Sequence, residues 1–243
     1  MKRFRFRCGH AVAVGRSHLI KGVGCQDCAG HRNDRKNSSL LALADGVGSA
    51  AFGGEGARLA VDTALERGID VTDLAELASL VHERLRQMAE QRGVEPKEFA
   101  TTLLIARLVR GSEGGIDVST IHVGDGVIVG GGRSATSVIS PPSRGEYANV
   151  TYSITASDWT DHAVLKQCRL TIGEGVLLMS DGPEAVLYDK RTNSAAPACG
   201  DILGWATDVR ASRFQRSLAR SLREVVRPAT TDDLSIACAV SVG

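Results

Sequence analysis

The chain has 243 residues, 43% hydrophobic and 23% charged, the length and composition of one soluble globular domain with a sizeable core. Lys and Arg number 29 against 28 Asp and Glu, a balance of +1, so no general charge excess calls for nucleic acid or an anionic membrane as partner. No stretch reaches the roughly 18 apolar residues of a membrane span, and the basic start lacks the apolar core of a signal peptide; a cytoplasmic protein is expected.

Residues 3–15 read as a first strand, with Lys2, Arg3, Arg5 and Arg7 alternating with Phe4 and Phe6 on its polar face. The other arginines look scattered. Residues 15–35, rich in Gly and polar side chains, read as a connecting loop with room for a short strand. Residues 38–44 form a mostly apolar run of strand length that stops at Asp45-Gly46. Helical spacing follows over 53–66 and again over 72–92, where Leu74, Leu77, Val81, Leu85 and Met88 share a face. Thr72 is the expected N-cap of that helix, and Gly93 with Pro96 ends it. Strands are expected at 101–109, 116–123, 126–130 and 134–139, with Gly124-Asp125-Gly126 as a hairpin turn. Residues 146–155 alternate like a further strand, and 156–168 read as a polar surface loop or flap. An apolar strand at 176–180 ends in Asp181-Gly182. The stretch 188–197 reads as variable and mobile. Helices are expected over 198–208 and 210–227, stopped by Pro228, and a last strand over 234–242.

Strands in hairpins with helices grouped in blocks favour an α+β layered fold in which helices cover packed sheets. Neither a Gly-rich dinucleotide fingerprint nor a phosphate-binding P-loop is present. Six cysteines at 8, 25, 28, 168, 199 and 238 are too sparse for a disulfide scaffold. Cys25 and Cys28 form a lone pair at metal-ligand spacing; a zinc site with Cys8, His10 and His31 is weighed, and ordinary thiols are the expectation.

Acidic residues recur at strand ends. Asp45, Asp125 and Asp181 each follow an apolar run, Asp232 and Asp233 precede one, and Asp27 follows Cys25-Gln26. Any one of these is an ordinary turn residue. Together, at strand ends that a sheet pair brings to one edge, the carboxylates would converge and repel until protons or cations neutralise them. All-oxygen ligation suits Mg²⁺ or Mn²⁺, and a pair of such ions roughly 3.5–4 Å apart can clamp a phosphoryl group.

In order along the chain stand Gly15-Arg-Ser-His18 to Cys25-Gln26-Asp27, Asp45-Gly46-Val47-Gly48 with Gly54-Glu55-Gly56-Ala57, Ala100-Thr101-Thr102-Leu103, Gly124-Asp125-Gly126, Ser180-Asp181-Gly182 and Thr231-Asp232-Asp233. This ordered set resembles the metal-dependent protein phosphatases, the type-2C-like serine/threonine phosphatases, in a compact bacterial branch. The resemblance implies a single domain over 1–243: a four-layer α-β-β-α sandwich of two mostly antiparallel sheets flanked by helix pairs. It implies two Mn²⁺ or Mg²⁺ ions, bridged by Asp45. The Gly46 carbonyl would bind the second ion, and Asp181 and Asp232 the first. Asp233 would stand behind them. Asp125 would hold a water or a third, weaker ion. Gln26 and Asp27 would act through metal-bound waters, and Thr101 and Thr102 would order the strand beneath. A hydroxide bridging the metals would attack phosphorus in line, with no phosphoenzyme.

The sequence departs from the family where many members carry a phosphate-gripping arginine: that position is Gly22, beside Lys21. Lys21 and His18 are the candidates to contact phosphate or move a proton; His18 is as readily a structural residue of its loop. Val47 replaces the histidine that follows Asp-Gly in the animal enzymes. His122 is expected to pack inside its strand. Trp159 and His162 either face substrate or belong to a plain surface loop, and Arg16 and Arg32 are weaker contacts. The implied function is hydrolysis of phosphoserine and phosphothreonine in proteins, the products of a serine/threonine kinase, by a monomer. A pseudophosphatase that binds without turnover, and a hydrolase of small phosphomonoesters, are the alternatives.

Overall fold

The run Ser38–Asp45 is buried from Ser39 to Ala44, and a strand so apolar needs cover on both faces. The computed structural model, which describes residues 4–34, 37–143 and 151–243, provides it. In chain order the elements begin β1 (Arg5–Ala13), α1 (Arg16–Lys21), β2 (Asp27–Asp34) and β3 (Ser38–Asp45). Two helices follow, α2 (Gly53–Arg67) and α3 (Leu74–Arg92). Then come β4 (Leu103–Arg110), β5 (Ile116–Val123), β6 (Val127–Gly131), β7 (Thr136–Ser140), α4 (Trp159–His162), β8 (Val164–Leu170) and β9 (Gly175–Met179). The last part comprises α5 (Asp181–Leu187), β10 (Tyr188–Asp189), β11 (Ser194–Ala195), α6 (Pro197–Asp208), α7 (Ala211–Ser221) and β12 (Leu234–Val242).

Two five-stranded antiparallel sheets result, in the orders β1-β12-β9-β6-β7 and β2-β3-β4-β5-β8. Their facing sides bury Phe6, Cys8, Leu41, Leu43, Leu104, Leu108, Ile128, Leu178 and Ala237. The outer side of the second sheet packs on α2 and α3 through Val61, Leu77, Val81 and Leu85. The outer side of the first packs on α6 and α7 through Leu203, Phe214 and Leu218. This is the expected α+β sandwich of four layers.

Several elements differ from the expectation. Gly124-Asp125-Gly126 is no hairpin: β5 lies in one sheet and β6 in the other, so the turn carries the chain between layers. A Cβ on Gly126 would stand 2.6 Å from the Met179 carbonyl oxygen, which is why glycine fits this crossing. The stretch 156–168 holds α4 and much of edge strand β8, and Trp159 is buried in the α2–α3 core rather than facing substrate or solvent. Of the strand expected over 146–155, residues 146–150 lie outside the described residues, and 152–155 are not strand. The N-cap of α3 is Asp73, whose side chain accepts from the Ala75 amide at 2.8 Å, not Thr72. The stretch 188–197 contains the small β10–β11 ladder and the start of α6. All six cysteines are free. Cys8 contacts Asn33 and Ser39 while His10 pairs with His31, and among the described residues no three His, Cys, Asp or Glu side chains gather as the zinc site weighed above would need.

Leu43 lies wholly buried between the sheets. Leu43→Ala is expected to destabilise the protein by about 2–5 kcal/mol, read as a lower urea midpoint at unchanged slope.

Candidate metal centre

Antiparallel register brings the acidic strand ends to one edge of the sandwich. Asp27 at the start of β2 pairs with Asp45 at the end of β3. Met179, the last residue of β9, pairs with both Ile236 and Val127, which carries Asp181 towards Asp232, Asp233 and Asp125. A cavity of about 200 Å³ opens there, lined by Asp45, Asp125, Asp181, Asp232, Gln26 and His18 among others.

The backbone under Asp45 is clamped from both sides. Thr102 Oγ1 accepts from the Asp45 amide at 2.9 Å, and the Thr102 amide and Thr101 Oγ1 donate to the Asp45 carbonyl at 2.9 and 2.8 Å. Gly46 continues this tight path. Its amide donates to the Gln26 carbonyl at 3.1 Å, and a Cβ there would collide with the backbone of Gly53. The Thr-Thr pair thus orders the strand beneath the site as expected.

The adjacent Asp232 and Asp233 separate cleanly. Asp233 is 2% exposed and accepts the Gly15 amide at 2.6 Å on Oδ1, and the Gln26 amide at 2.6 Å with His18 Nδ1 at 2.9 Å on Oδ2. Its lone pairs are engaged in holding the N-terminal loop. Asp232 accepts the Asp233 amide at 3.0 Å and lines the cavity.

Asp27 receives Ser180 Oγ at 2.7 Å on Oδ2, and Asp125 receives Thr151 Oγ1 at 3.0 Å. Two buried oxygens, Asp27 Oδ1 and Asp181 Oδ1, have no donor, and neither has Gln26 Oε1. Burial, and then the charges of Asp27 and Asp181, push the Asp45 carboxyl well above its ordinary range. Burial and the charges of Asp232 and Asp125 raise Asp181 to about 7, and burial raises Asp27 to about 6. Without a cation, burial and mutual repulsion thus favour protonation of this coupled carboxyl group.

Buried carboxylate oxygens without donors, in a group that repels its own charge, are a fit for hard divalent cations. Among the described residues, no three His, Cys, Asp or Glu side chains are already closed around one point. The donors fit ions that keep several waters, as Mg²⁺ does.

The expected site residues fall into two groups. Asp27, Asp45, Gly46, Asp125, Asp181, Asp232 and His18 come together. Lys21 is exposed at the end of α1 and outside the cavity lining. Arg16 Nε donates to the Thr230 carbonyl at 2.8 Å beside the site, while Arg32 reaches the Leu65 carbonyl on α2. His122 is buried with Nδ1 at 2.9 Å from Ser140 Oγ, a packed strand residue as expected. His162 stacks on Tyr152 with ring centroids 3.6 Å apart. Sequence reasoning passed over Ser180 and Thr151. Ser180 had a signal, a hydroxyl at the N-cap position before Asp181-Gly182.

A larger groove of about 980 Å³ lies at the far end of the sheets, between the start of β1 and the end of β12, with Asp34 as its one lining Asp or Glu. No helix among the described residues is long and apolar enough to cross a membrane.

Comparison with known proteins agrees with this architecture. A family model described as protein phosphatase 2C matches residues 14–227. "Serine/threonine-protein phosphatase 3" of Escherichia coli strain K12 is 30% identical over 167 residues, covering 63% of this chain and 64% of that protein. The chain therefore spans less than two thirds of that relative's length. Among solved structures, PppA, described as a key regulatory component of T6SS in Pseudomonas aeruginosa, matches with a TM-score of 0.65 at 20% identity, over 99% of this chain and all of that one. The catalytic domain of the phosphatase PstP, solved with two manganese ions, matches with a TM-score of 0.68 at 18% identity, again over 99% of this chain and all of that one.

In chelator, Asp181 and Asp45 bind protons more tightly in the folded state than in the unfolded chain, so stability falls as pH rises through their folded values. Buried His31 and His122, lowered from 6.5 to about 4, act in the opposite sense below 6.5, so the test window lies above it. The thermal midpoint in chelator is expected to fall between about pH 6.5 and 8.5, and Mn²⁺ to remove that fall. A chelated midpoint that climbs across the window contradicts the raised carboxyls.

Proposed function

The chain belongs to the protein phosphatase 2C family, and from that premise we propose that it is a metal-dependent phosphoprotein phosphatase acting on phosphoserine and phosphothreonine. One observation carries the reading: Asp45 lines the cavity with Asp181 and pairs across the sheet with Asp27, and a buried oxygen of each of these neighbours lacks a donor. The reading takes residues 1–243 as one phosphatase domain, working as a cytoplasmic monomer on the products of a serine/threonine kinase.

Asp45, the Gly46 carbonyl, Asp181 and Asp232 would hold two Mn²⁺ or Mg²⁺ ions. Asp27, Gln26 and Asp125 would bind their waters, and Asp125 with Thr151 offers a place for a third, weaker ion. When bound, the ions supply Lewis acidity and a hydroxide nucleophile, so no side chain need be phosphorylated.

The protein's own residues position and protonate. Thr101 and Thr102 fix the Asp45 backbone, so its carboxyl has little freedom to follow substrate. Ser180 holds Asp27 from one side, and its other oxygen stays buried without a donor. Asp233 fixes His18 through Nδ1, which leaves Nε2 to serve the cavity. In the imidazolium form, Nε2 donates its proton to the departing serine or threonine oxygen. Lys21 lies outside the cavity lining, so phosphate contact is assigned to His18 and the ions' charge rather than to a replacement for the missing arginine.

Phosphate release from a phosphothreonine peptide is expected to require Mn²⁺ or Mg²⁺, to stop in chelator, and to fall at least about a thousandfold in Asp45→Asn. Metal binding without turnover by the native protein, across peptides and small esters, would point to a pseudophosphatase instead. His18→Ala is expected to lower kcat about a hundredfold on the phosphothreonine peptide. On p-nitrophenyl phosphate, whose leaving group needs no proton, it should lower kcat by only a few fold. Equal losses on both substrates would remove the proton-donor role.

A further inference from the structure

Residues 210–227 hold six arginines and a single glutamate, in a chain whose whole balance is +1. The period of α7 collects them. Arg213, Arg216 and Arg220 are exposed at spacings of three and four, and line a shallow cavity of about 450 Å³ with Ser217. Arg223 and Arg227 continue the same face beyond the helix. The opposite face, Phe214, Leu218, Leu222 and Val226, is buried against the first sheet.

This charge is not spent inside the fold. Arg220 Nε pairs with Glu224 at 2.7 Å. Among the described residues, Arg213, Arg216 and Arg223 have no acidic partner within ion-pair distance. Some arginines elsewhere are matched by acids, as Arg133 by Asp208 at 2.5 Å and Arg169 by Glu113 at 2.8 Å. Like charges at such helical spacing weaken a helix, so nothing in folding accounts for their retention.

The arginine face also leads to the site. From Ser221 the chain runs through Leu222–Val226 and Arg227–Ala229 to Thr230, whose carbonyl accepts Arg16 Nε, and on to Asp232 in the cavity. From Arg213 to Arg227 the track is about 20 Å long, the reach of roughly six residues of extended peptide.

We propose that the arginine face of α7 docks an acidic segment of the phosphoprotein substrate, outside the phosphorylated residue itself. The proposal rests on the phosphatase reading above. Guanidinium groups suit carboxylates because they bind them in a two-pronged fork. The exposed positions between Arg210 and Arg223 carry no aromatic or large apolar side chain. That is unlike a surface that stacks single-stranded RNA or inserts into a bilayer.

The test uses a labelled phosphothreonine peptide joined by a Gly-Ser spacer to about six Asp and Glu residues, placed on either side. Its controls are a peptide with serines in place of the acids and the acidic run without phosphate. The native protein is expected to prefer the acidic phosphopeptide roughly tenfold in kcat/KM, less at high salt. R213Q/R216Q/R220Q should lose the preference while keeping its rate on the acid-free peptide, and R213K/R216K/R220K should keep most of it. In fluorescence anisotropy the unphosphorylated acidic run should bind the native protein and not the Gln variant. That result supports docking even where no peptide is hydrolysed, an outcome that would instead sink the phosphatase reading. Equal kcat/KM on acidic and acid-free peptides overturns the proposal. So does an equal loss on both in the Gln variant, or tighter arginine-dependent binding of polyuridylate or phosphatidylglycerol vesicles than of the acidic run.

Discussion

Repulsion among carboxylates at one edge of the two sheets is the constraint that the surrounding structure is arranged to withstand. Asp27, Asp45 and Asp181 each sit where burial penalises charge, and at Asp45 and Asp181 the neighbouring carboxylates penalise it again. Only a frame that does not relax can hold them so. The frame here is a strand covered on both faces, with its last peptide gripped by two threonines. The buried apolar layers are thus the counterweight that keeps acidic groups close enough to share a proton or a cation.

Asp232 and Asp233 show how adjacent identical residues acquire different work. Both border the cavity, but Asp232 is exposed there while Asp233 is buried and taken up by two amides and an imidazole. Asp233 ties the loop 15–26 to the start of β12. In doing so it places His18 and Gln26, residues more than two hundred positions away, at the same edge as the carboxylates.

Legibility in the sequence followed the strength of the physical signal. Asp45 and Asp181 stood out because each closes an apolar strand with Asp-Gly, and both lie in the cavity. The long helices showed through their periodic apolar faces. Edge strand β8 did not, because Val-Leu-Lys-Gln-Cys-Arg-Leu is half exposed and has no buried side to pattern. Helix α1 buries nothing and has no side-chain cap, so nothing local announces it. Trp159 lies in a polar stretch but fills the α2–α3 core, a packing fact that no neighbouring residue encodes. The turn at Asp125 carries hairpin residues yet joins two sheets, since a turn's chemistry does not state which sheet receives the next strand. The arginines of α7 look scattered when counted along the chain and form one face only once the helix winds them.

The position of β12 between β1 and β9 bears on how the protein is made. During synthesis β1 leaves the ribosome long before its partner β12. Until residues 234–242 leave the ribosome, β1 and β9 each present an unpaired edge, and the carboxylates that complete the cavity are barely in reach. Until then these edges are open to edge-to-edge association.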